Sequence, residues 1–183
     1  MVKTVRKDAV ENRARIIEVA RREIAESGTT ELRLNAIAKQ AGVGQGTLYR
    51  HFPTREALLA EVYRQEVDEL VALAPRLLEA AEPVDALAQW FDRVAEYARV
   101  KRGVLAAVEA SVWRELTDHS LGPIGDAITV LLDAGKAAGQ IRDDADAGDV
   151  ILLIGYLSRL DEDEWDRRAH RPLHIVLDGL RRR

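Results

Sequence analysis

The sequence predicts an all-α fold of about nine helices, with an N-terminal helical domain over residues 1–53 and a C-terminal helical domain over residues 54–183. Three observations carry this expectation. Apolar residues recur at three- and four-residue spacing almost throughout, no segment alternates as a strand would, and Gly42-Val43-Gly44 separates two short helical patterns as a helix-turn-helix does. The first helix is expected from about Val10 to Ser27, with Ile16, Ile17, Ala20 and Ile24 on one face and Gly28 as its stop. The second carries Leu34, Ile37, Ala38 and Ala41, and the third runs from Gln45 to Phe52. Gly42 can take the left-handed conformation that ends a helix and sends the next one off at a steep angle. A fourth helix is expected after Thr54, whose hydroxyl can cap it, and continues to about Ala74. Pro75 and Pro83 bracket the next junction. Val84–Val100, Val104–Leu116, Ile124–Ala138, Ala147–Leu160 and Leu173–Leu180 come after it, punctuated by Gly103, Gly122-Pro123 and Gly139.

Composition bounds the function classes. The 183 residues contain no cysteine, which excludes a disulfide framework and a thiolate metal site. No apolar run reaches membrane-spanning length, and Lys3, Arg6 and Lys7 have no apolar stretch behind them, so the cytoplasm is expected and no membrane partner is. The net charge of -4 hides an asymmetry: residues 1–60 hold 11 Lys and Arg against 7 Asp and Glu, whereas the remainder holds 16 against 24. A positive segment joined to a negative one suits a nucleic-acid reader attached to a domain that avoids phosphate.

Ile37-Ala38, Ala41-Gly42-Val43, Gly46-Thr47-Leu48-Tyr49, His51-Phe52 and Thr54-Arg55-Glu56 with Leu58 closely resemble the signature of the tetracycline-repressor (TetR) family. The block covers roughly the N-terminal quarter. Beyond it, Gly139-Gln140-Ile141-Arg142-Asp143 and Asp178-Gly179-Leu180-Arg181 look like the late helices of some members. The resemblance implies a homeodomain-like, DNA-binding N-terminal domain joined to an antiparallel helical domain for ligand binding and dimerisation. Two positions depart from the pattern. Gly44 and Arg33 stand where side-chain caps are frequent, and arginine caps poorly.

DNA presents phosphates that fix register and base edges that carry sequence. The resemblance places Thr47, Tyr49 and His51 against phosphates or adjacent bases, with Gly46 and Arg33 in the same contact region. Gln45 and Arg50 are candidates for base reading, since a carboxamide can pair with adenine and a guanidinium with guanine in bidentate fashion. Arg55 can meet a flanking phosphate, and the basic tail of Lys3, Arg6 and Lys7 can reach a minor groove. Leu48 and Phe52 are expected to face inward.

In the C-terminal domain, residues 147–160 are apolar nearly all round and need a cover. Ile151, Ile154 and Gly155, together with Leu173, Val176, Leu177 and Leu180, are the candidates for a four-helix interface across a two-fold axis, which the resemblance also implies. Burial within a single chain is the competing reading. The effector pocket implied by the resemblance has as candidates Tyr63, Trp90, Phe91, Tyr97, Leu105, Val112, Trp113, Ile128 and Leu132, at least half of which are expected to be ordinary core. Glu66 lies in the middle of an apolar stripe formed by Leu59, Val62, Leu70 and Leu73. A buried carboxylate needs a partner. Glu66 either pairs with an arginine such as Arg99 or Arg102, reaches solvent, or anchors a cationic ligand, and Glu109 is a weaker case of the same kind.

Catalytic signatures are absent: there is no glycine-rich phosphate loop and no cysteine nucleophile. His170 and His174 are four apart, but a helix beginning at Pro172 leaves His170 outside its first turn, so neither a metal nor another cofactor is expected. Asp161–Glu164 reads as a solvated loop. The expectation is a non-enzymatic regulator that binds a pseudo-palindromic double-stranded operator as a homodimer, most simply a repressor released by an unknown small-molecule effector and coupled through the fourth helix. The alternatives are a regulator without an effector pocket, or a helical dimerisation or adaptor module with a vestigial motif.

Overall fold

A computed structural model of the chain describes residues 2–27 and 32–182, with side chains described for 8–26, 32–161 and 163–182. The described residues form nine α-helices and one 3-10 turn, with no strand apart from an isolated antiparallel bridge between Ile141 and Arg181. No helix among them is long and apolar enough to cross a membrane. The backbone packs as two compact units, Met1–Gln65 with Val100–Leu116, and Glu66–Arg99 with Thr117–Arg183.

The first unit contains α1 (Val2–Ser27), α2 (Leu34–Gln40) and α3 (Gln45–His51), which pack on one another. It also takes the first part of α4 (Arg55–Ala80), the end of α5 (Pro83–Leu105) and the start of α6 (Ala110–Ala137). Its core is the predicted one: Ile16, Ala20 and Ile24 of α1, Ile37 of α2 and Leu48 of α3 are all at most 1% exposed. Helix α1 begins at Val2 rather than Val10, so the basic residues read as a tail lie on its first turns. The side chains of Lys3, Arg6 and Lys7, and Gly28, the predicted stop, lie outside the described residues. Thr54 caps α4 as expected, its hydroxyl accepting from the Ala57 N–H at 3.1 Å.

The second unit contains the remainder of α4, α5 and α6, then α7 (Ala147–Ile154), the 3-10 turn Gly155–Arg159, α8 (Glu162–Arg168) and α9 (Arg171–Leu180). Trp90 is fully buried, and its indole N–H donates to the Leu70 carbonyl at 3.0 Å. Several predicted breaks are not breaks. Helix α4 continues through Pro75 to Ala80, α5 passes Gly103, and α6 passes Gly122-Pro123. The expected separate helices at 104–116 and 124–138 therefore do not exist as such. Conversely, the helix expected to reach Leu160 ends at Ile154, and the acidic run read as a loop opens α8. Acidic residues at a helix start complement the positive end of its dipole.

The two thinly matched late segments meet in space. The Arg142 N–H donates to the Leu180 carbonyl and the Arg182 N–H to the Gln140 carbonyl, each at 2.9 Å. The Gln140 side chain accepts from the Val84 N–H and donates to Glu82, tying the α6–α7 connection to the start of α5.

Candidate nucleic-acid interface

The turn between α2 and α3 is set by one glycine. Gly42 sits at φ 66°, where an L side chain is strained. Its N–H donates to the Lys39 carbonyl and the Val43 N–H to the Ala38 carbonyl, so two carbonyls at the end of α2 are satisfied by the turn itself. Extended backbone at Gly44 (φ −68°, ψ 149°) then starts α3 without a side-chain cap. Arg33, extended at the start of α2, also gives no side-chain cap. Helix α2 is braced instead by Gln40, which donates to Glu23 at 2.7 Å and accepts from Arg22 at 3.3 Å.

With Leu48 and Phe52 buried at 0% and 2%, the opposite side of α3 is left to solvent. Gln45, Gly46, Tyr49 and Arg50 are exposed, and Thr47, His51 and Arg55 are partly exposed. Tyr49, an aromatic, is 45% exposed. Arg50 lies back along its own helix, with Nε donating to the Gly46 carbonyl at 3.0 Å and Nη2 to the Thr47 hydroxyl at 3.3 Å. A base edge must replace those two contacts before Arg50 can read it. Arg33 is exposed beside the start of α2. The arrangement offers amide, hydroxyl, phenol, imidazole and guanidinium groups along one helix, the donor set that phosphates and base edges require.

Behind this surface lies Arg13, which the sequence motifs do not point to. Its guanidinium sits 5.3 Å from the Phe52 ring centroid and 2.7 Å from Glu61. A weaker signal does exist, since Arg13 falls at i-3 from Ile16, on the edge of the α1 apolar stripe.

The candidates of the C-terminal part are distributed unevenly. Glu66 is buried at 1%, and Arg93 pairs with it at 2.7 Å. Arg93 also reaches Glu69 at 3.4 Å and Glu96 at 3.6 Å. In the second unit Trp90, Phe91, Ile128 and Leu132 are at most 2% exposed and Tyr97 is 5% exposed. In the first unit Tyr63 is fully buried, Leu105 and Val112 are half-buried, and Trp113 is 40% exposed. Glu109 is exposed and precedes α6, not at the edge of a helical apolar face as expected.

The predicted dimer set also divides. Leu173, Leu177 and Leu180 are buried within the chain, at 2%, 4% and 4% exposure, because α9 packs that face inward. Ile151, Ile154 and Val176 are half-buried and Gly155 is exposed. The apolar groups left open on α7 and α9 are Leu152, Leu153 and Ile175, at 80%, 52% and 63%. They line a groove of 570 Å³ with Val176, Arg142 and Asp144. The Arg142 guanidinium, 2.6 Å from Asp144, holds that carboxyl down to about 2. Elsewhere, His170 stands just before α9, its Nδ1 3.1 Å from Asp92, and His174 lies on the helix. No group of three or more metal-ligating side chains gathers among the described residues.

Residues 16–62 match the family model for bacterial regulatory proteins of the tetR family, and residues 82–182 match that for the C-terminal domain of SbtR-like transcriptional regulators. Among solved structures, a TetR transcription regulatory protein from Mycobacterium vanbaalenii is 30% identical with a TM-score of 0.76, covering 97% of this chain and 99% of that one. The TetR transcriptional regulator SCO0520 from Streptomyces coelicolor is 37% identical with a TM-score of 0.71, covering 92% and 98%. An HTH-type transcriptional regulator of Staphylococcus aureus (strain bovine RF122 / ET3-1) is 42% identical over 67 residues, 37% of this chain and 36% of that protein, so the chain spans about a third of the length of the curated relatives it matches.

Proposed function

We propose that this chain, which belongs to the TetR family and is a DNA-binding transcriptional regulator rather than an enzyme, acts in the cytoplasm as a homodimeric repressor of a pseudo-palindromic operator and is released by a small molecule. The observation that carries the reading is the surface of α3, where Gln45, Tyr49 and Arg50 are exposed on a seven-residue helix seated on buried Leu48. Residues 1–53 act as the reading head and residues 54–183 as the ligand-binding and dimerisation part. A single seven-residue helix contacts few base pairs, and two copies related by a two-fold axis read two half-sites about 34–36 Å apart. Support for pairing comes from Leu152, Leu153 and Ile175, whose exposure leaves an apolar stripe on α7 and α9 in need of a cover.

The test is selection of bound sequences from random duplex DNA by the purified protein, beside Tyr49→Ala and Arg50→Ala. The expected result is a palindrome that both variants fail to enrich. No enrichment by the wild type at low salt overturns the reading and returns the adaptor alternative.

For the effector, Glu66 supports a cationic or hydrogen-bond-donating ligand, because a carboxylate 1% exposed must be matched by positive charge or donors, of which Arg93 supplies one set. Glu66→Gln is expected to change effector response, and an unchanged response removes this residue from the site. A second reading, a regulator with no effector, is favoured by the burial of Trp90, Phe91 and Ile128, each at most 2% exposed. Under that reading no small molecule alters operator binding.

A further inference from the structure

We infer that Arg13 is a positioning residue for DNA reading: it fixes the C-terminal end of α3 against α1 and α4 while touching no DNA itself. The inference rests on α3 being the reading helix. Phe52 is the residue on which α3 ends; its N–H closes the last turn by donating to the Leu48 carbonyl at 2.8 Å, and its ring is 2% exposed. One face of that ring carries the Arg13 guanidinium, with Cζ 5.3 Å from the centroid, within cation–π range. The same guanidinium places Nη2 2.7 Å from Glu61 Oε1 on α4.

Three helices therefore converge on one planar cation. Arginine can do this because its face stacks while its edge pairs, and a lysine ammonium cannot supply both. The Glu61 carboxylate is itself held: its other oxygen lies 3.8 Å from Arg64 Nη1, and Arg64 Nη2 reaches Glu115 Oε1 on α6 at 3.2 Å. A chain of ion pairs thus runs from the ring under the reading helix to α4 and on to the first turns of α6, all inside the first unit. The side chains of Arg13 and Glu61 are 41% and 25% exposed, so this clamp adds little to global stability. Its leverage is positional. Phe52 comes directly after Tyr49, Arg50 and His51, and a small rotation at the end of α3 moves all three against a base edge, where a fit of a fraction of an ångström matters.

Fluorescence anisotropy against the selected palindrome and against a random duplex, each across a salt series, tests the inference with full-length protein. Arg13→Met is expected to weaken palindrome binding by about 10-fold, to leave random-duplex binding within about two-fold, and to leave the salt slope unchanged. Arg13→Lys, which keeps the charge and loses the plane, recovers only part of the loss. Glu61→Gln weakens palindrome binding in the same sense, and combining it with Arg13→Met adds nothing further, because both variants remove one clamp. Should Arg13→Met fold poorly, Arg13→Lys and Glu61→Gln carry the test with losses of about three-fold. Equal losses on both duplexes with a salt slope reduced by about one ion identify a phosphate contact and overturn the inference. Unchanged palindrome affinity, or a lowered melting temperature with the folded protein binding normally, overturns it as well. Wild-type protein that binds neither duplex is a separate outcome: it overturns the DNA reading, and this inference with it.

Discussion

Helices α2 and α6 end in the same way, and the two ends serve opposite purposes. Gly42 and Gly139 sit at φ 66° and 67°, and the turns return two and three N–H groups, respectively, to the last carbonyls of their helices. After Gly42 the turn stays open: nothing lies within 4 Å of where a Cβ would be at Gly42, Gly44 or Gly46, and α3 buries Leu48 and Phe52 while Gln45, Tyr49 and Arg50 stay exposed. After Gly139 it is trapped. Ile141 folds back onto Gly135 and is fully buried, and the flanking Gln140 and Arg142 backbones pair with Arg182 and Leu180. A Cβ at Gly135 would come 2.7 Å from Ile141 Cγ1 and 3.2 Å from its Cβ, and the latter cannot move without the backbone. The same turn thus presents a surface in one place and locks a core in the other, and the residues just after the glycine decide between the two.

The contrast breaks most visibly at Gly135. Gly135→Val is expected to cost about 3 kcal/mol by overpacking, read as a lower urea midpoint at unchanged m-value. A cost near zero would mean that Ile141 has another seat. Gly42→Ala and Gly139→Ala sharpen it, since each is expected to lose about 1 kcal/mol from the positive φ, with only the former also weakening duplex binding. Comparable binding losses in both would erase the distinction. Helix starts give a smaller contrast. Asp146 caps α7, accepting from the Asp149 N–H at 2.8 Å while Asp149 accepts from the Asp146 N–H at 3.2 Å, whereas α3 has no side-chain cap. Asp146→Ala is expected to cost about 1 kcal/mol and Gly44→Ser to gain a few tenths, both measurable by denaturant titration. Last comes a proton. Tyr156, in the 3-10 turn, donates to the Ala169 carbonyl at 2.5 Å, and burial pushes its phenol up to about 12. The fold favours the neutral phenol, so its contribution is complete below pH 10 and disappears as pH climbs from 10 toward 12. Absorbance at the phenolate band should show the Tyr156 phenol titrating near 12. Tyr156→Phe should remove it.

The reading head is legible in the sequence because its signals are local. The Ile37-Ala38 stripe, the glycine turn and the inward Leu48 and Phe52 are all set by residues within a few positions of one another. The C-terminal helices depart from expectation where a local signal loses to a longer one. Proline removes a hydrogen bond and crowds the preceding turn, at a cost of about 3 kcal/mol, yet Pro123 sits inside α6. The buried series Leu116, Ser120, Ile124, Ala127, Ile128 and Leu131 runs along one side of that helix through the break, and its burial outweighs the proline. Helix α8 departs in the opposite direction. Its inward side is Trp165 and then Ala169 at its end, too few residues for a period to be recognised beneath the acidic run. The sequence marks Glu66 as a carboxylate in an apolar stripe but does not mark Arg93 as a partner, because it lies 27 residues away and only the packing of α4 against α5 brings the two together.

The three tryptophans offer an optical consequence of this packing. Trp90 and Trp165, in the second unit, are 0% and 5% exposed, whereas Trp113, in the first, is 40% exposed. Their emission should separate into a blue component shielded from iodide and a red component open to it. Changes at the start of α6 would alter the red component alone, so the unlabelled protein carries its own fluorophore for following that region.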